Sequence, residues 1–312
     1  MGDFDVFAVA GPTAVGKSQV ALKIALEASA EVVSADAFQV YCYMDIGTAK
    51  VPINERIFPL HHMIDVCLPD EEYSVARYQR EARACIEGIL KRGKKAVVCG
   101  GTPLYLTALL FDIEIPPEKK IPGLRDELVK EAKKSPESVV ARLKEIDPEA
   151  LIYINPNNLR RVIRAIELFE QAGVRYSELY RRWTNRKPYY KKSLIIWLYR
   201  EREEIYSAIE ERVSKMFKSG LIEEAISLRR RFKFSSTAIQ AIGYREVFDY
   251  LDGKISLEES IELIRQRTRN YAKRQMSWFR NDARFEPVDI SGCTGEEAAE
   301  KILNRFFSKD LM

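Results

Sequence analysis

The chain has 312 residues, 46% of them hydrophobic and 31% charged, with 15 glycines, 13 prolines and no low-complexity tract. That composition excludes a disordered or collagen-like chain and leaves room for a large buried core, as one α/β domain or a domain with an insertion. No apolar run approaches a membrane span and no secretory signal precedes the first apolar stretch, so a cytoplasmic protein without membrane contact is expected. Five scattered cysteines with no C-x-x-C pair fit a reducing compartment and argue against a cysteine-rich zinc site. The only histidines, His61 and His62, are adjacent and would face opposite sides of a strand, which favours a structural role over metal binding. The formal charge of +4 is uneven: residues 1–115 carry 11 Lys and Arg against 15 Asp and Glu, and the remainder carries 39 against 31. A basic back half points to a polyanionic partner larger than a nucleotide.

In chain order, Phe4 to Ala10 is a short apolar run suited to a buried parallel strand. Gly11-Pro-Thr-Ala-Val-Gly16-Lys17-Ser18 follows and fits G-x-x-x-x-G-K-[ST], the phosphate-binding loop. Helical spacing of Val20, Ala21, Ile24, Ala25 and Ala28 completes the strand, loop and helix that the motif requires. In that setting Gly11 and Gly16 let the backbone approach an anion, and the amides opening the helix point at it. Lys17 would reach terminal phosphates and the Ser18 hydroxyl would ligate Mg²⁺.

A second strand, Glu31 to Ala35, ends at Asp36, where ligands sit in doubly wound sheets. The stretch from Phe38 to Ala49 has no clean period and reads as an irregular, site-forming segment, followed by a short strand from His61 to Cys67. An amphipathic helix opens at Ser74 and stops at Gly93; a strand, Lys95 to Cys99, leads into Gly100-Gly101-Thr102 and a helix to Leu110. Three strand-to-helix units predict a parallel sheet with right-handed crossovers.

Residues 118–190 then read as an all-helical insertion, with Ser135-Pro136 and Asp147-Pro148 as helix starts. Within it, residues 156–192 hold ten Lys or Arg against three acids, interleaved with Tyr176, Tyr180, Trp183, Tyr189 and Tyr190. Cations alternating with rings suit a nucleic-acid surface, and equally a solvated helical face. Strand texture returns over residues 192–200, so 1–117 and 191–312 would form the core. The remainder predicts helices over 202–232 and 236–252, a third opened by the capping box Ser256-x-x-Glu259 and running to about Asn281, a strand from Phe285 to Ile290 and a terminal helix from Thr294.

A phosphate loop alone does not separate an NTP hydrolase from a kinase or another transferase. The strand that would carry a hydrolase's Mg²⁺-holding Asp ends here in Gly-Gly-Thr, which disfavours a motor and leaves small transferases. Several further motifs lie in one colinear order: Ala35-Asp36-x-x-Gln39-x-Tyr41, Met44-Asp-Ile-Gly-Thr-Ala-Lys50, His61-His-x-Ile-Asp65, Gly100-Gly-Thr-x-Leu-Tyr105, Asn157-x-x-Arg160-x-x-x-Arg164, Ile242-Gly-Tyr244 and Tyr271-Ala-Lys-Arg-Gln275. With the phosphate loop, they make the chain resemble the tRNA dimethylallyltransferases (tRNA isopentenyltransferases) of bacterial type over nearly its whole length.

The resemblance implies a P-loop NTPase-like parallel sheet flanked by helices, with Mg²⁺ as cofactor and a monomer as the default state. Its reaction joins dimethylallyl diphosphate to N6 of the adenine beside the anticodon. Gly11, Thr13, Ala14, Gly16, Lys17 and Ser18, with Lys273 and Arg274, would hold the diphosphate, and Lys273 and Arg274 could instead meet RNA phosphates. Asp36 would be the base that takes the N6 proton, unless it only caps the next segment. Thr13 and Thr102 would sit at the reacting centre. Gln39, Tyr41 and Gln275 would join Asp36 on the tRNA side, and Arg160 and Arg164 would meet the anticodon stem-loop. Ala37, Asn155 and Asn158 depart from the family pattern, where Ser, His and Asp are usual. Rival readings are prenyl transfer to a free adenine nucleotide, a small-molecule kinase, and an RNA-binding protein whose phosphate loop only switches its shape.

Overall fold

The computed structural model describes residues 4–116 and 121–307, which fall into two compact units. One unit runs to Leu110 and resumes at Tyr190; the other spans Phe111–Tyr189. The expected boundary between residues 117 and 118 lies outside the described residues. The helical unit takes in chain from Phe111 onward, because Phe111 pairs with Pro188 in an antiparallel bridge and the Asp112 amide bonds the Lys187 carbonyl at 2.8 Å.

The larger unit is built on six strands: β1 (Val6–Ala10), β2 (Glu31–Ser34), β3 (His61–His62), β4 (Ala96–Gly100), β5 (Ser193–Tyr199) and β6 (Glu286–Asp289). All pairings are parallel and the order is β3-β2-β4-β1-β5-β6. The predicted α/β class with a parallel sheet is therefore present. Strand β1 is buried along its whole length, which is why its sequence is continuously apolar rather than alternating. The predicted strand from His61 to Cys67 shrinks to two residues, after which only an isolated Tyr41–Cys67 bridge continues the pairing.

Helices α1 (Lys17–Glu27), α2 (Val75–Lys91) and α3 (Pro103–Leu110) follow β1, β3 and β4. The Ser74 hydroxyl caps α2 by accepting the Arg77 amide, as its sequence position predicts. In the helical unit lie α4 (Leu124–Lys134), α5 (Pro136–Ile146), α6 (Ala150–Tyr153), α7 (Leu159–Ala172) and α8 (Tyr176–Thr184) around their own core of Leu128, Val139, Leu143, Val162 and Ile166. Asp147 does not start a helix at Pro148. Its two carboxylate oxygens accept the Ala150 and Ser177 amides at 3.2 and 2.8 Å, joining α6 to α8.

The chain then returns through β5 to α9 (Arg202–Lys218), α10 (Leu221–Arg231), α11 (Tyr244–Leu251), α12 (Leu257–Arg280) and α13 (Gly295–Phe307). The predicted single helix over 202–232 is two, because Gly220 takes a φ of 95° and turns the chain between α9 and α10. Similarly, 236–252 is a short 3₁₀ turn at Ala238–Gln240 followed by α11. Packing of α1 and α13 on Phe7, Val9, Val32, Ile196 and Val288 closes one face of the sheet.

One buried carboxylate pins the start of β2. Glu31 is only 2% exposed, and it receives Lys94 at 2.9 Å, His62 at 2.6 Å and Arg92 at 2.7 Å. Burial alone would raise its pKa, but hydrogen bonds from Lys94, His62 and Arg92 reverse that and hold it at about 2, against 4.5 for a free side chain. A carboxylate with a depressed folded pKa stabilises the fold above its unfolded value and loses that contribution as pH falls. Arg92 and Lys94 are half exposed, so solvent screens part of it. Glu31→Gln is therefore expected to lower unfolding free energy by about 2 kcal/mol at pH 7. In urea titrations the gap between parent and variant should close as pH drops from 4.5 towards 2.

Candidate functional site

The parallel order places the carboxyl ends of β1 and β4 side by side, with β2 next to β4, so the segments that follow them meet over one edge of the sheet. There a cavity is lined by Thr13, Lys17, Ser18, Asp36, Gln39, Gly101 and Arg212, among others. Its floor comes from the three strand ends. Its far wall comes from α9, α12 and the Ala241–Ile242 turn, which contribute Val213, Met216, Ile242, Ile264 and Tyr271.

The phosphate loop leaves β1 at Gly11, whose φ of 143° and close approach to the Leu198 carbonyl admit no side chain; an added Cβ would lie 2.7 Å from that oxygen. Ala14 also takes a left-handed φ, 64°, a turn conformation that residues with side chains seldom adopt. Lys17 donates to the Pro12 carbonyl at 2.6 Å, folding its side chain back across the loop. Burial drives its pKa down to about 8, while Cys99 and Asp36 pull it up. Gln275, on α12 and only 2% exposed, clamps the loop: its Oε1 accepts the Thr13 amide at 2.9 Å and its Nε2 donates to the Gly101 carbonyl at 2.5 Å. Gln275 thus joins the phosphate loop to the β4 end, in addition to lining the cavity.

Asp36 follows the end of β2. Its Oδ1 accepts the amides of Phe38 at 2.9 Å and Gln39 at 3.3 Å, so it does cap the next segment. Its Oδ2 takes no hydrogen bond from a described residue, which leaves one oxygen for a ligand. Capping and a role in chemistry are therefore compatible. Thr102 accepts the Ala37 amide at 3.1 Å, fixing the backbone beside Asp36. The residue at 37 thus meets Thr102 through its backbone, which an alanine supplies as well as a serine. Tyr271, which lines the cavity, has its phenol pushed up to about 12 by burial and then by the charge of Asp36, so it stays protonated.

Sequence reasoning missed Arg212. It projects from α9 into the cavity, where burial lowers its pKa and the Asp36 carboxylate opposes that shift. The signal was present: Ile205, Ile209, Val213 and Met216 form the buried stripe of α9, and an arginine at 212 interrupts that stripe.

Other expected residues fall elsewhere. Tyr41 is corrected from an RNA contact to a core residue: it is 1% exposed, outside the cavity lining, and its hydroxyl is bound to Thr237 at 2.6 Å. Lys273 and Arg274 lie exposed on α12, outside the cavity lining, with Arg274 over the Tyr271 ring at 5.8 Å. Gly11, Ala14 and Gly16 shape the loop without lining the cavity. Arg160 and Arg164 are exposed on α7 of the helical unit. Asn158 caps that helix on the Arg161 amide, which is the task an aspartate would do there.

A lysine titrating near 8 makes anion affinity pH-dependent in a defined direction. An anion prefers the charged ammonium, so affinity falls as pH rises through that value. Sulfate, which does not titrate here, is expected to bind about tenfold more weakly at pH 9.5 than at pH 7. Calorimetry on Lys17→Ala should give weak binding with no such dependence.

Two family descriptions match the chain: IPP transferase over residues 39–282 and isopentenyl transferase over residues 4–58. The tRNA dimethylallyltransferase of Carboxydothermus hydrogenoformans is 42% identical over 302 residues, covering 96% of each chain. That of Geobacillus thermodenitrificans is 41% identical over 287 residues, covering 92% of this chain and 90% of the relative. Among solved structures, the tRNA isopentenylpyrophosphate transferase of Bacillus halodurans aligns with TM-score 0.70 and 37% identity, covering 96% of this chain and 95% of its own. A eukaryotic dimethylallyltransferase solved acting on tRNA aligns with TM-score 0.79 and 30% identity, covering 96% of this chain and 77% of its own. With a phosphate loop after β1, a carboxylate after β2 lining the same cavity and likeness along nearly its whole length, the chain belongs to the IPP transferase family.

Proposed function

We propose that this protein is a prenyltransferase that moves a dimethylallyl group from dimethylallyl diphosphate to N6 of the adenine on the 3′ side of the anticodon in tRNA, releasing diphosphate. The observation that carries the reading is the pairing of unlike walls in one cavity. Lys17 and Ser18 of the phosphate loop offer a diphosphate site, and Val213, Met216, Ile242 and Ile264 offer apolar surface for a branched five-carbon tail. Asp36 lines the same cavity with one carboxylate oxygen uncommitted.

The chemistry balances on these groups. The N6 lone pair forms a bond to the allylic C1 as the bond from C1 to the diphosphate oxygen breaks, and the N6 proton passes to Asp36. Exocyclic N6 is a poor nucleophile because its lone pair is delocalised into the ring, so a base within reach is needed. Lys17, the loop amides and Arg212 stabilise negative charge gathering on the departing diphosphate. Thr13 and Thr102 hold the backbone around the reacting centre, Thr13 through Gln275 and Thr102 through the Ala37 amide.

The donor set fits Mg²⁺, a hard cation that commonly takes one or two protein oxygens and completes its shell from substrate phosphates and water. Ser18, which lines the cavity, would hold it, and its chemistry would be to neutralise diphosphate oxygens. Among the described residues no trio of His, Cys, Asp or Glu forms an all-protein cage. On the acceptor side, Gln39 is aimed by Ser34, whose hydroxyl donates to its Oε1 at 3.0 Å. Exposed arginines on α7, Arg160 and Arg164, supply phosphate contacts to the stem-loop. An adenine that must leave its stack to react suits a buried carboxyl-edge cavity.

The test is transfer of label from radiolabelled dimethylallyl diphosphate in the presence of Mg²⁺, with unmodified tRNA and AMP as alternative acceptors. Label in tRNA and none in AMP is the expected result. Label in AMP would move the acceptor to free nucleotides, and no label in either would overturn the prenyltransferase reading.

A further inference from the structure

The stretch Met44–Lys50 forms neither helix nor strand, yet a single carboxylate fixes its backbone. Glu224, on α10, accepts the Asp45 amide at 3.0 Å and the Ile46 amide at 2.9 Å on Oε2. On Oε1 it accepts the Gly47 amide at 3.2 Å and the Tyr244 phenol at 2.6 Å. An ionised carboxylate has about four lone-pair positions, and here each is matched to a donor. Tyr244 is fully buried. Burial, then the charge of Glu224, holds its phenol well above the usual range, so it stays a donor to Glu224.

The fit around this carboxylate is close. A Cβ on Gly47 would lie 2.5 Å from the Tyr244 ring, so the ring packs directly on the backbone of the segment. The Thr48 hydroxyl closes the turn on the Met44 carbonyl at 2.6 Å, and buried Lys50 ties its end to the Tyr41 carbonyl at 2.6 Å.

What this segment carries lies in the cavity. Gly47, Thr48 and Ala49 line it. The Thr48 carbonyl receives Gln39 Nε2 and Arg212 Nη2, each at 3.4 Å, and the Ala49 carbonyl lies 3.5 Å from the same Gln39 nitrogen. The segment is thus a ledge under one side chain proposed to read the acceptor and one proposed to steady the leaving group.

We propose that Glu224 is a positioning residue for the transfer reaction. It sets the Thr48 and Ala49 carbonyls, through the 45–47 amides and Tyr244, so that Gln39 and Arg212 stand in register over Asp36. The kinetic consequence rests on the function proposed above, whereas the geometric one does not. The same contact gives Ile242-Gly-Tyr244 and Asp45-Ile-Gly-Thr a shared physical task, although they are almost 200 residues apart in sequence.

Glu224→Gln keeps the shape but replaces one accepting oxygen with an NH₂ that faces amide donors. Tyr244→Phe removes a single donor and serves as the milder variant. Hydrogen exchange of peptides spanning 44–50 is expected to speed up by about tenfold or more in Glu224→Gln, with the β1 and β4 peptides unchanged. In the labelled-donor assay, kcat/KM for tRNA should fall about tenfold or more, while the Kd for inorganic diphosphate, which keeps Lys17 and the loop amides and loses only the aim of Arg212, should rise by clearly less than that. Tyr244→Phe should lie between the two. Unchanged exchange at 44–50 would overturn the proposal. So would a kcat/KM within about twofold of the parent, or a loss of diphosphate affinity in step with kcat/KM, which marks general damage. A parent that transfers no label would sink the proposed reaction instead, and the exchange result would then decide the role of Glu224 in holding the ledge.

Discussion

The constraint on which the rest depends is that all six strands run the same way. Parallel strands deliver every carboxyl end to one edge of the sheet, so β1 can end in a phosphate loop beside the Gly-Gly-Thr turn of β4 and the aspartate after β2. Pieces separated by up to about 90 residues of sequence thereby become neighbours without a long loop having to reach across the fold. Helices α9 and α12 then cover that edge and supply what a strand end cannot, an apolar wall and a long cation held at depth.

The electrostatics of the cavity follow from this enclosure. Lys17 and Arg212 both have their charged forms disfavoured by burial, and Asp36 offsets part of that penalty for each. Two cations sharing one carboxylate leave a net positive site, which suits a ligand bearing several negative charges. The polar backbone is likewise tied down by side chains from distant segments: Gln275 holds Thr13 and Gly101, and Glu224 holds residues 45–47. These are buried polar networks in which each member is answered, so they fix geometry rather than merely adding stability.

Much of this was legible from the sequence, for identifiable reasons. The phosphate loop and its flanking strand and helix follow local rules, as do the caps at Ser74 and Ser256, so a window of a few residues contains the signal. Strand order is not local, and nothing in the apolar runs says that β1 lies between β4 and β5. The division of 202–232 into two helices turned on Gly220, whose left-handed φ a helical pattern does not announce. Tyr41 was misplaced because an irregular segment has no periodicity from which to read which side chains turn inward. Arg212 was overlooked for the opposite reason: its helix was easy to read, and the charge interrupting the buried stripe was the informative residue.

The proposed reaction divides its labour between two strand ends on either side of β4, with the β1 loop binding the diphosphate and the β2 aspartate moving the proton. Single-turnover transfer by Asp36→Asn, measured beside its affinity for the labelled donor, tests it most directly. Donor affinity should stay close to that of the parent, and the transfer rate should fall by about two to four orders of magnitude. A variant that transfers the group at nearly the parental rate, or that loses the donor altogether, would contradict it.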